Sequence, residues 1–252
     1  GFGKKSNIKY FLRFVEKISE EYKDKVKYWI TLNEPRIYTS ESFLNKKWPP
    51  QENSFIKYYF TLKNLGDAHK KAYSIIKNSN INSQIGFSEN IASYTSEGSL
   101  IDRFPRKLFA WYELRIIRGY SKHLDFIGLN YYFHRHIKNF KISKMSTRFR
   151  SSDLGWDLYP QGIHSPLVKL KKLNKPIIIT ENGLADKNDV NREWFINRIL
   201  YHINRAVLDG VDVRGYLHWS LSDNFEWDSG FWPRFGLVEI DYKDNFKRKV
   251  RK

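Results

Sequence analysis

Five short runs rich in β-branched and aromatic residues alternate along the chain with longer stretches that carry apolar residues at helical spacing. Such alternation is typical of parallel α/β proteins, in which each strand is followed by a helix that covers the sheet. The predicted strands are residues 26–32, 84–90, 125–131, 176–180 and 213–220. The pattern therefore predicts an α/β fold with about five parallel strands.

Helices are predicted between these strands from apolar residues that recur every three or four positions. They cover residues 8–18 after a Ser6 cap, 54–77, 108–117, 165–173 and 195–206, the last ended by Gly210. Pro35 is expected to end the first strand, and the polar stretch 138–153 to form a long loop. No internal repeat or linker interrupts the series, so residues 1–252 are expected to form one domain.

The composition excludes some classes of protein. No apolar run reaches about 18 residues, so no segment is expected to span a membrane. The chain has no cysteine, which excludes disulfides and thiolate metal sites and is compatible with a reducing, cytoplasmic compartment. Aromatic residues make up 17% of the chain, and their flat faces suit core packing as well as the C–H faces of sugar rings.

The formal net charge is +17, from 44 Lys and Arg against 27 Asp and Glu. A charge of this sign is compatible with a nucleic-acid or acidic-membrane partner. However, the lysines are scattered, and the densest basic cluster, residues 243–252, lacks interleaved aromatic residues. We therefore interpret the charge as a lysine-rich surface and expect no specific nucleic-acid partner, with nucleic-acid binding kept as the less favoured alternative.

Polar side chains follow four of the predicted strands at their carboxyl ends. They are, in chain order, Asn33 and Glu34, Asn130 to Tyr132, Glu181 and Asn182, and Trp219 with residues 223–227. In a parallel α/β barrel all these ends lie on the face where active sites form. A single Glu in such a place is more often a helix cap or an ion-pair partner. Two carboxylates on one face, however, are what glycoside hydrolysis requires, one protonated and one ionised.

Six segments resemble, in the same order, motifs of glycoside hydrolase family 1, the β-glucosidase family. Residues 31–35 (TLNEP) are similar to its acid/base motif, and residues 179–183 (ITENG) are similar to its nucleophile motif. The other four segments are residues 125–132 (DFIGLNYY), 155–160 (GWDLYP), 219–227 (WSLSDNFEW) and 234–237 (RFGL). The resemblance extends over nearly the whole chain and implies a retaining β-glycosidase built on a (β/α)8 TIM barrel.

The resemblance also assigns the chemistry. Glu34 is expected to protonate the glycosidic oxygen and later to activate water, and Glu181 to attack the anomeric carbon. In a retaining enzyme the two carboxyl groups lie about 5–5.5 Å apart. Glu34 is therefore expected to have a raised pKa, because it must stay protonated beside an ionised Glu181.

The matching positions also imply a sugar-binding site. Asn33 is expected to bond the 2-hydroxyl of the sugar, and Tyr132 to hold the nucleophile through its phenol. The remaining expected sugar contacts are Trp219 beneath the ring, Glu226 and Trp227 at the outer hydroxyls, Trp156 beside the leaving group, and Asn130 beside Tyr132. For Trp156 and Asn130, core packing or strand-end hydrogen bonding is an equal alternative.

These residues also restrict the substrate. Because Glu226 would place a negative charge near the outer hydroxyls, a 6-phosphorylated sugar is disfavoured. The expected partner is a small oligosaccharide or an aryl or alkyl β-glycoside of unphosphorylated glucose, galactose or fucose. No cofactor and no metal ion are expected.

The order of the motifs matches strands four to eight of the family barrel, and strands one to three have no counterpart. We therefore expect a partial barrel, the C-terminal portion of the catalytic domain, which alone is a poor catalyst prone to self-association. Three interpretations follow: a piece of a longer gene product that lacks its N-terminal segment, which we favour, an active remnant that needs a partner, and a non-catalytic carbohydrate-binding remnant. The final helix of the family is expected to be replaced by residues 241–244 and a short basic tail.

Two further groups receive no functional role. His134 and His136 flank Arg135 in a pattern that resembles a metal site, but no third ligand accompanies them, so we interpret them as part of a solvated loop. Glu89 also ends a predicted strand, but no role in the family falls on it.

Overall fold

The computed structural model describes residues 1–96, 100–143 and 150–251. Its strands are β1 Tyr28–Asn33, β2 Gln84–Asn90, β3 Ser93–Ser96, β4 Ile127–Asn130, β5 His134–Lys138, β6 Lys141–Ser143, β7 Ile177–Asn182, β8 Val213–His218, β9 Val238–Asp241 and β10 Lys247–Val250. The helices among the described residues are α1 Ile8–Tyr22, α2 Pro35–Phe43, α3 Phe55–Ser79, α4 Leu100–Tyr120, α5 His164–Lys171 and α6 Arg192–Leu208.

The predicted α/β fold is confirmed. Five strands form one sheet in the order β1-β2-β4-β7-β8, and these are the five strands that the sequence predicts. Strand β1 pairs with β2 in parallel orientation, and so does β7 with β8. The chain divides into two compact units, residues 1–90 with 116–128 and residues 91–115 with 129–252. The single domain expected over residues 1–252 stays a prediction.

In the first unit, helices α1 and α3 pack together around a small apolar core. Val15 of α1, Ala72 and Ile76 of α3, and Ile85 of β2 are buried against one another. The Ser54 hydroxyl caps α3 by accepting a hydrogen bond from the Lys57 backbone N–H at 3.3 Å. The expected Ser6 cap of α1 is wrong, because Ser6 lies in a short 3-10 turn and Asn7 occupies the capping position without a side-chain bond.

Helix α2 is absent from the sequence predictions, which assigned Pro35 only to the end of a strand. Pro35 is instead the first residue of α2. A proline is tolerated there because its missing N–H would have no partner within the helix, and its fixed φ suits helical geometry. The helix therefore begins directly after the acid/base motif.

In the second unit, β3 pairs with β5 in parallel, and β5 pairs with β6 in antiparallel orientation. The interpretation of His134 and His136 as part of a solvated loop is wrong, since both lie on β5 and are 8% and 6% exposed. The Thr95 hydroxyl is 2.8 Å from His134 Nε2 and 3.2 Å from His136 Nδ1, and the His134 ring stacks on Tyr159. These neighbours replace water around the two imidazoles.

The predicted loop 138–153 is only partly a loop, since β6 lies within it. Its residues 144–149 are outside the described part of the chain. Helix α4 begins at Leu100, eight positions before the expected start at residue 108.

The segment expected to be a basic tail forms an antiparallel hairpin, in which Lys247–Val250 pairs with Val238–Asp241. The Arg251 guanidinium donates to the carbonyls of Gly236 and Lys187, at 3.1 Å each. These bonds attach the last described residue to the loops beside β7 and β8. Within the described ranges, no helix is both long enough and apolar enough to cross a membrane.

Candidate active site

Glu34 lies where β1 turns into α2. Its backbone is left-handed, with φ 48° and ψ 52°, which is uncommon for a residue other than glycine. Its N–H donates to the Ser88 carbonyl at 2.9 Å, and its carbonyl accepts from the Tyr38 N–H at 3.0 Å. These two bonds hold the turn and leave the side chain half-buried at the carboxyl end of the strand, with an exposed Asn33 before it.

The end of β2 supplies a side chain that contacts this carboxyl group. The Asn90 amide donates from Nδ2 to Glu34 Oε1 at 3.1 Å. The sequence motifs assign Asn90 no role, although it ends a predicted strand as the other candidates do. The rule that polar groups at strand ends form the site would have identified it.

Glu89, next to Asn90, is 0% exposed. Its carboxylate accepts hydrogen bonds from the backbone N–H groups of Arg36 at 3.3 Å and Asn90 at 3.0 Å. Burial raises the pKa of Glu89 to about 7, since the lowering effect of the Arg36 guanidinium is the smaller one and the Glu34 carboxyl raises it further.

Glu181 lies in the second unit, near the carboxyl end of β7. The Tyr132 phenol donates to Glu181 Oε2 at 3.0 Å. The Tyr131 N–H donates to the Glu181 carbonyl at 3.0 Å, which fixes the backbone under the carboxylate. A hydrogen bond donated to a carboxylate favours its ionised form, so Tyr132 supports the state that a nucleophile requires.

A buried network of polar groups supports the ends of β4 and β7. Asn130 is 0% exposed and accepts from the Thr180 hydroxyl at 2.6 Å. Asn182 donates to the Tyr131 carbonyl and accepts from the Tyr216 hydroxyl at 3.1 Å. For Asn130 this geometry matches strand-end hydrogen bonding, the alternative that the sequence left open.

The backbone after Glu181 passes very close to the end of β8. A Cβ atom added to Gly183 would lie 1.7 Å from the Trp219 carbonyl oxygen, so only glycine fits. The Trp219 N–H donates to the Asn182 carbonyl at 2.9 Å. These contacts bring the half-buried Trp219 beside the segment that carries Glu181.

Trp156 belongs to an aromatic cluster next to Tyr132. Its ring centroid is 5.9 Å from that of Tyr132, 4.7 Å from that of Phe133 and 6.1 Å from that of Phe235. The half-buried indole therefore packs against the residue that contacts Glu181. Packing is thus established for Trp156, and its contact with a leaving group stays a prediction.

Glu226 and Trp227 lie in the loop after β8. The Glu226 carboxylate accepts from the Asn224 amide at 2.8 Å, and Trp227 has a φ of 44° and is 62% exposed. The loop is anchored by the buried Asp223, which accepts from the Gly236 and Ile240 N–H groups and from Arg234 at 3.0 Å. This anchor holds the loop while Trp227 is open to solvent.

Asn33 and Glu34 are adjacent in the first unit. In the second unit Tyr132 is hydrogen-bonded to Glu181, and Trp156 and Trp219 lie nearby. Across residues 1–96, 100–143 and 150–251, no cluster of three or more His, Cys, Asp or Glu side chains could hold a metal ion.

The chain has parallel strands with polar side chains at their carboxyl ends. This arrangement is typical of the α/β proteins, a class that includes TIM barrels. The sequence profile of glycosyl hydrolase family 1 matches residues 1–103 and 108–252. The chain therefore belongs to glycosyl hydrolase family 1.

Individual relatives agree with this membership. The chain is 31% identical over its full length to the chloroplastic beta-glucosidase-like SFR2 of Oryza sativa subsp. japonica, covering 41% of that protein. It is 31% identical over 94% of its length to the beta-galactosidase of Saccharolobus solfataricus, covering 55% of it. The crystal structure of the hyperthermophilic beta-glucosidase from Pyrococcus furiosus matches the whole chain with a TM-score of 0.94 at 30% identity, over 57% of that structure. The chain thus spans about half the length of these relatives.

Proposed function

We propose that the protein hydrolyses β-glycosides with retention of configuration, with Glu181 as the nucleophile and Glu34 as the acid/base. The observation that carries this proposal is the hydrogen bond from the Tyr132 phenol to Glu181 at 3.0 Å. It stabilises an ionised carboxylate at the end of a strand, within the motif that resembles the nucleophile segment of the family.

The reaction proceeds in two displacements. Glu181 attacks the anomeric carbon while Glu34 donates its proton to the glycosidic oxygen, and the leaving alcohol departs from a covalent glycosyl-enzyme. Glu34, now ionised, takes a proton from a water molecule, which attacks the same carbon and releases Glu181. Glu34 must therefore be protonated before the first step, and Glu181 must be ionised.

The substrate is an unphosphorylated β-linked glucoside, galactoside or fucoside. Relatives named beta-glucosidase and beta-galactosidase support this sugar class. The Glu226 carboxylate, held by Asn224, disfavours a phosphate group on the sugar because the two carry like charge. Asn33 binds the 2-hydroxyl, Trp219 stacks under the ring, Trp227 contacts the outer hydroxyls, and Trp156 borders the leaving group.

The basic surface has no part in this function, so specific nucleic-acid binding is not proposed. A cytoplasmic location is a prediction that rests on the absence of cysteine.

The stereochemistry of azide rescue tests the two roles separately. With 2,4-dinitrophenyl β-glucoside, the Glu181→Gly variant plus azide is expected to give the α-glucosyl azide, because azide attacks in place of the carboxylate. The Glu34→Ala variant plus azide is expected to give the β-glucosyl azide, because azide then attacks the glycosyl-enzyme. The same anomer from both variants, or undiminished turnover without azide, would exclude these roles.

A further inference from the structure

Glu89 is a buried carboxylate that the two-step mechanism leaves unused. It lies at the carboxyl end of β2 with 0% of its surface exposed. Its partners are the N–H groups of Arg36 and Asn90, and the Arg36 guanidinium, whose Nη2 is 3.7 Å from Glu89 Oε1. A fully buried acid is costly, so its contacts must offset a large desolvation penalty.

Two of these partners, Arg36 and Asn90, are also neighbours of Glu34. Arg36 follows Glu34 by two residues in the first turn of α2, and Asn90 donates its side-chain amide to the Glu34 carboxyl group at 3.1 Å. Arg36 also donates from Nη2 to the Asn90 carbonyl. Glu89 thus ties the start of α2 to the end of β2 at the place where Asn90 reaches Glu34.

The charges around Glu89 give this arrangement an electrostatic consequence. The charged groups that face it are the Arg36 guanidinium from α2 and the Glu34 carboxyl from the end of β1. From its own strand it receives the Asn90 N–H. Two acids whose charges interact strongly lose their protons as a coupled pair.

We propose that Glu89 is a positioning residue for Glu34. By binding the Asn90 backbone N–H, it holds the Asn90 side-chain amide against the Glu34 carboxyl group, and its ionisation is coupled to that of Glu34. The inference rests on the proposed function, in which Glu34 is the acid/base. The Glu34 carboxyl raises the pKa of Glu89, and because such repulsion is reciprocal, an ionised Glu89 favours a protonated Glu34, the state needed for the first displacement. The burial-raised pKa of Glu89, about 7, puts its ionisation in the working range of such an acid.

A solely structural Glu89 would cap the first turn of α2 without affecting the titration of Glu34. The two cases are separated by ¹³C NMR of the side-chain carboxyl carbons, with Glu34 assigned from the loss of its signal in Glu34→Gln. In the unsubstituted chain, Glu34 and Glu89 are expected to show two shared inflections between pH 4 and 9. In Glu89→Gln, Glu34 is expected to titrate in one step, with its midpoint lowered by about one pH unit.

The matched control is Glu113→Gln, which removes another buried carboxylate, 4% exposed, that accepts a backbone N–H at 3.0 Å, from Ala92. It is expected to leave the Glu34 titration unchanged. A single-step Glu34 curve in the unsubstituted chain, or the same midpoint in Glu89→Gln, overturns the proposal. If Glu89→Gln does not fold, the curve of the unsubstituted chain decides alone.

This measurement does not depend on turnover. Coupled titration without the predicted azide products would contradict the proposed function alone. The azide products without coupling would contradict the role of Glu89 alone.

Discussion

Tyr132 and Asn90 each donate a hydrogen bond to one of the two candidate carboxyl groups. The proposed mechanism requires one of these groups to be ionised and the other to be protonated. Tyr132 donates to Glu181, which must be ionised, and its phenol stabilises that charge. Asn90 donates to Glu34, which in the proposed mechanism must hold a proton, and we propose that its amide orients this carboxyl group while the neighbouring charge of Glu89 favours the protonated form. We therefore propose that the electrostatic surroundings of the two carboxyl groups set their different protonation states.

The Tyr132→Phe variant tests this account of Glu181. Without the phenol, the pKa of the nucleophile rises, so kcat/KM is expected to fall about ten- to a hundredfold, and its acid limb to move to higher pH. The measurement is the pH profile of aryl β-glucoside hydrolysis. The control is Tyr216→Phe, which removes a hydrogen bond to Asn182 but not to Glu181. An unmoved acid limb in Tyr132→Phe would contradict the role of the phenol.

At the scale of secondary structure, β1 is joined to α3 by a buried imidazole. His69 of α3 is 0% exposed, and its Nδ1 is 2.7 Å from the Thr31 hydroxyl of β1. Burial lowers the pKa of His69 from 6.5 to about 4. Between pH 6.5 and about 4, His69 is therefore neutral in the folded protein, whereas the same imidazole is protonated in the unfolded chain.

This lowered pKa predicts the direction of acid destabilisation. The contribution of His69 to stability is complete above pH 6.5 and is lost as the pH falls toward 4, because the unfolded state then binds the extra proton. The loss amounts to about 3 kcal/mol over this range. Urea unfolding at pH 7 and pH 4 measures it. The His69→Gln variant is expected to lose less unfolding free energy between these two values, and an equal loss in both proteins would contradict the prediction.

In helix α6, Arg192 is a second buried residue that links separate segments of the chain. Its guanidinium is buried and donates to four backbone carbonyls, those of Leu184, Asp186, Arg234 and Phe235. It thereby holds the segment after Glu181 against residues 234–235. A lysine ammonium cannot replace a planar group that serves four acceptors.

We therefore expect Arg192→Lys to lower the free energy of unfolding by about 2–4 kcal/mol. Arg198→Lys on the same helix, at an exposed position, is expected to change it by less than about 0.5 kcal/mol. Denaturant unfolding of both variants gives the comparison. Equal stability of the two variants would show that the carbonyl contacts of Arg192 are not needed.

How much of the fold could be predicted depends on where the signal lies along the chain. The five main strands were predicted because each is a local run of β-forming residues between helical patterns. The sequence pattern does not predict helix α2, because it assigns Pro35 to the end of a strand, although a proline can also begin a helix. The sequence pattern does not predict strand β5, because its residues His134 and His136 are polar and therefore look exposed. Their burial depends on Thr95, which is distant in sequence.

In the candidate site, too, some residues are recognisable from local sequence and others are not. Glu34 and Glu181 are recognisable because each lies within a motif and near a strand end. Glu89 is not, because its environment is created by Arg36, which lies far from it along the chain and meets it only once β2 and α2 have formed. A local pattern cannot specify such a pair of partners.

At the scale of the whole molecule, the net charge of +17 is carried on a surface that the proposed function does not use. We expect weak, sequence-independent binding to duplex DNA that disappears as salt is raised, since scattered lysines bind phosphates only through screened charge. Fluorescence anisotropy with two unrelated duplexes at 50 and 200 mM NaCl measures this. Tight binding that persists at about 200 mM, or a clear preference for one duplex, would support the nucleic-acid alternative.

The chain spans about half the length of its relatives, covering 57% of the Pyrococcus furiosus structure, so the activity of its 252 residues is best sought by a method that detects a single turnover. A 2-deoxy-2-fluoro-β-glucoside with a good leaving group is suitable, because its glycosyl-enzyme forms but breaks down slowly. The chain is incubated alone and with the portion of the Pyrococcus furiosus enzyme that it does not cover.

The decisive measurement is peptide mass spectrometry of the labelled protein. We predict one fluoroglucosyl adduct, on Glu181, that is absent from Glu181→Gln and forms more slowly in the chain alone than in the mixture. An adduct on another residue, or an adduct that persists in Glu181→Gln, under conditions that label the complete Pyrococcus furiosus enzyme would contradict the assignment of Glu181 as the nucleophile.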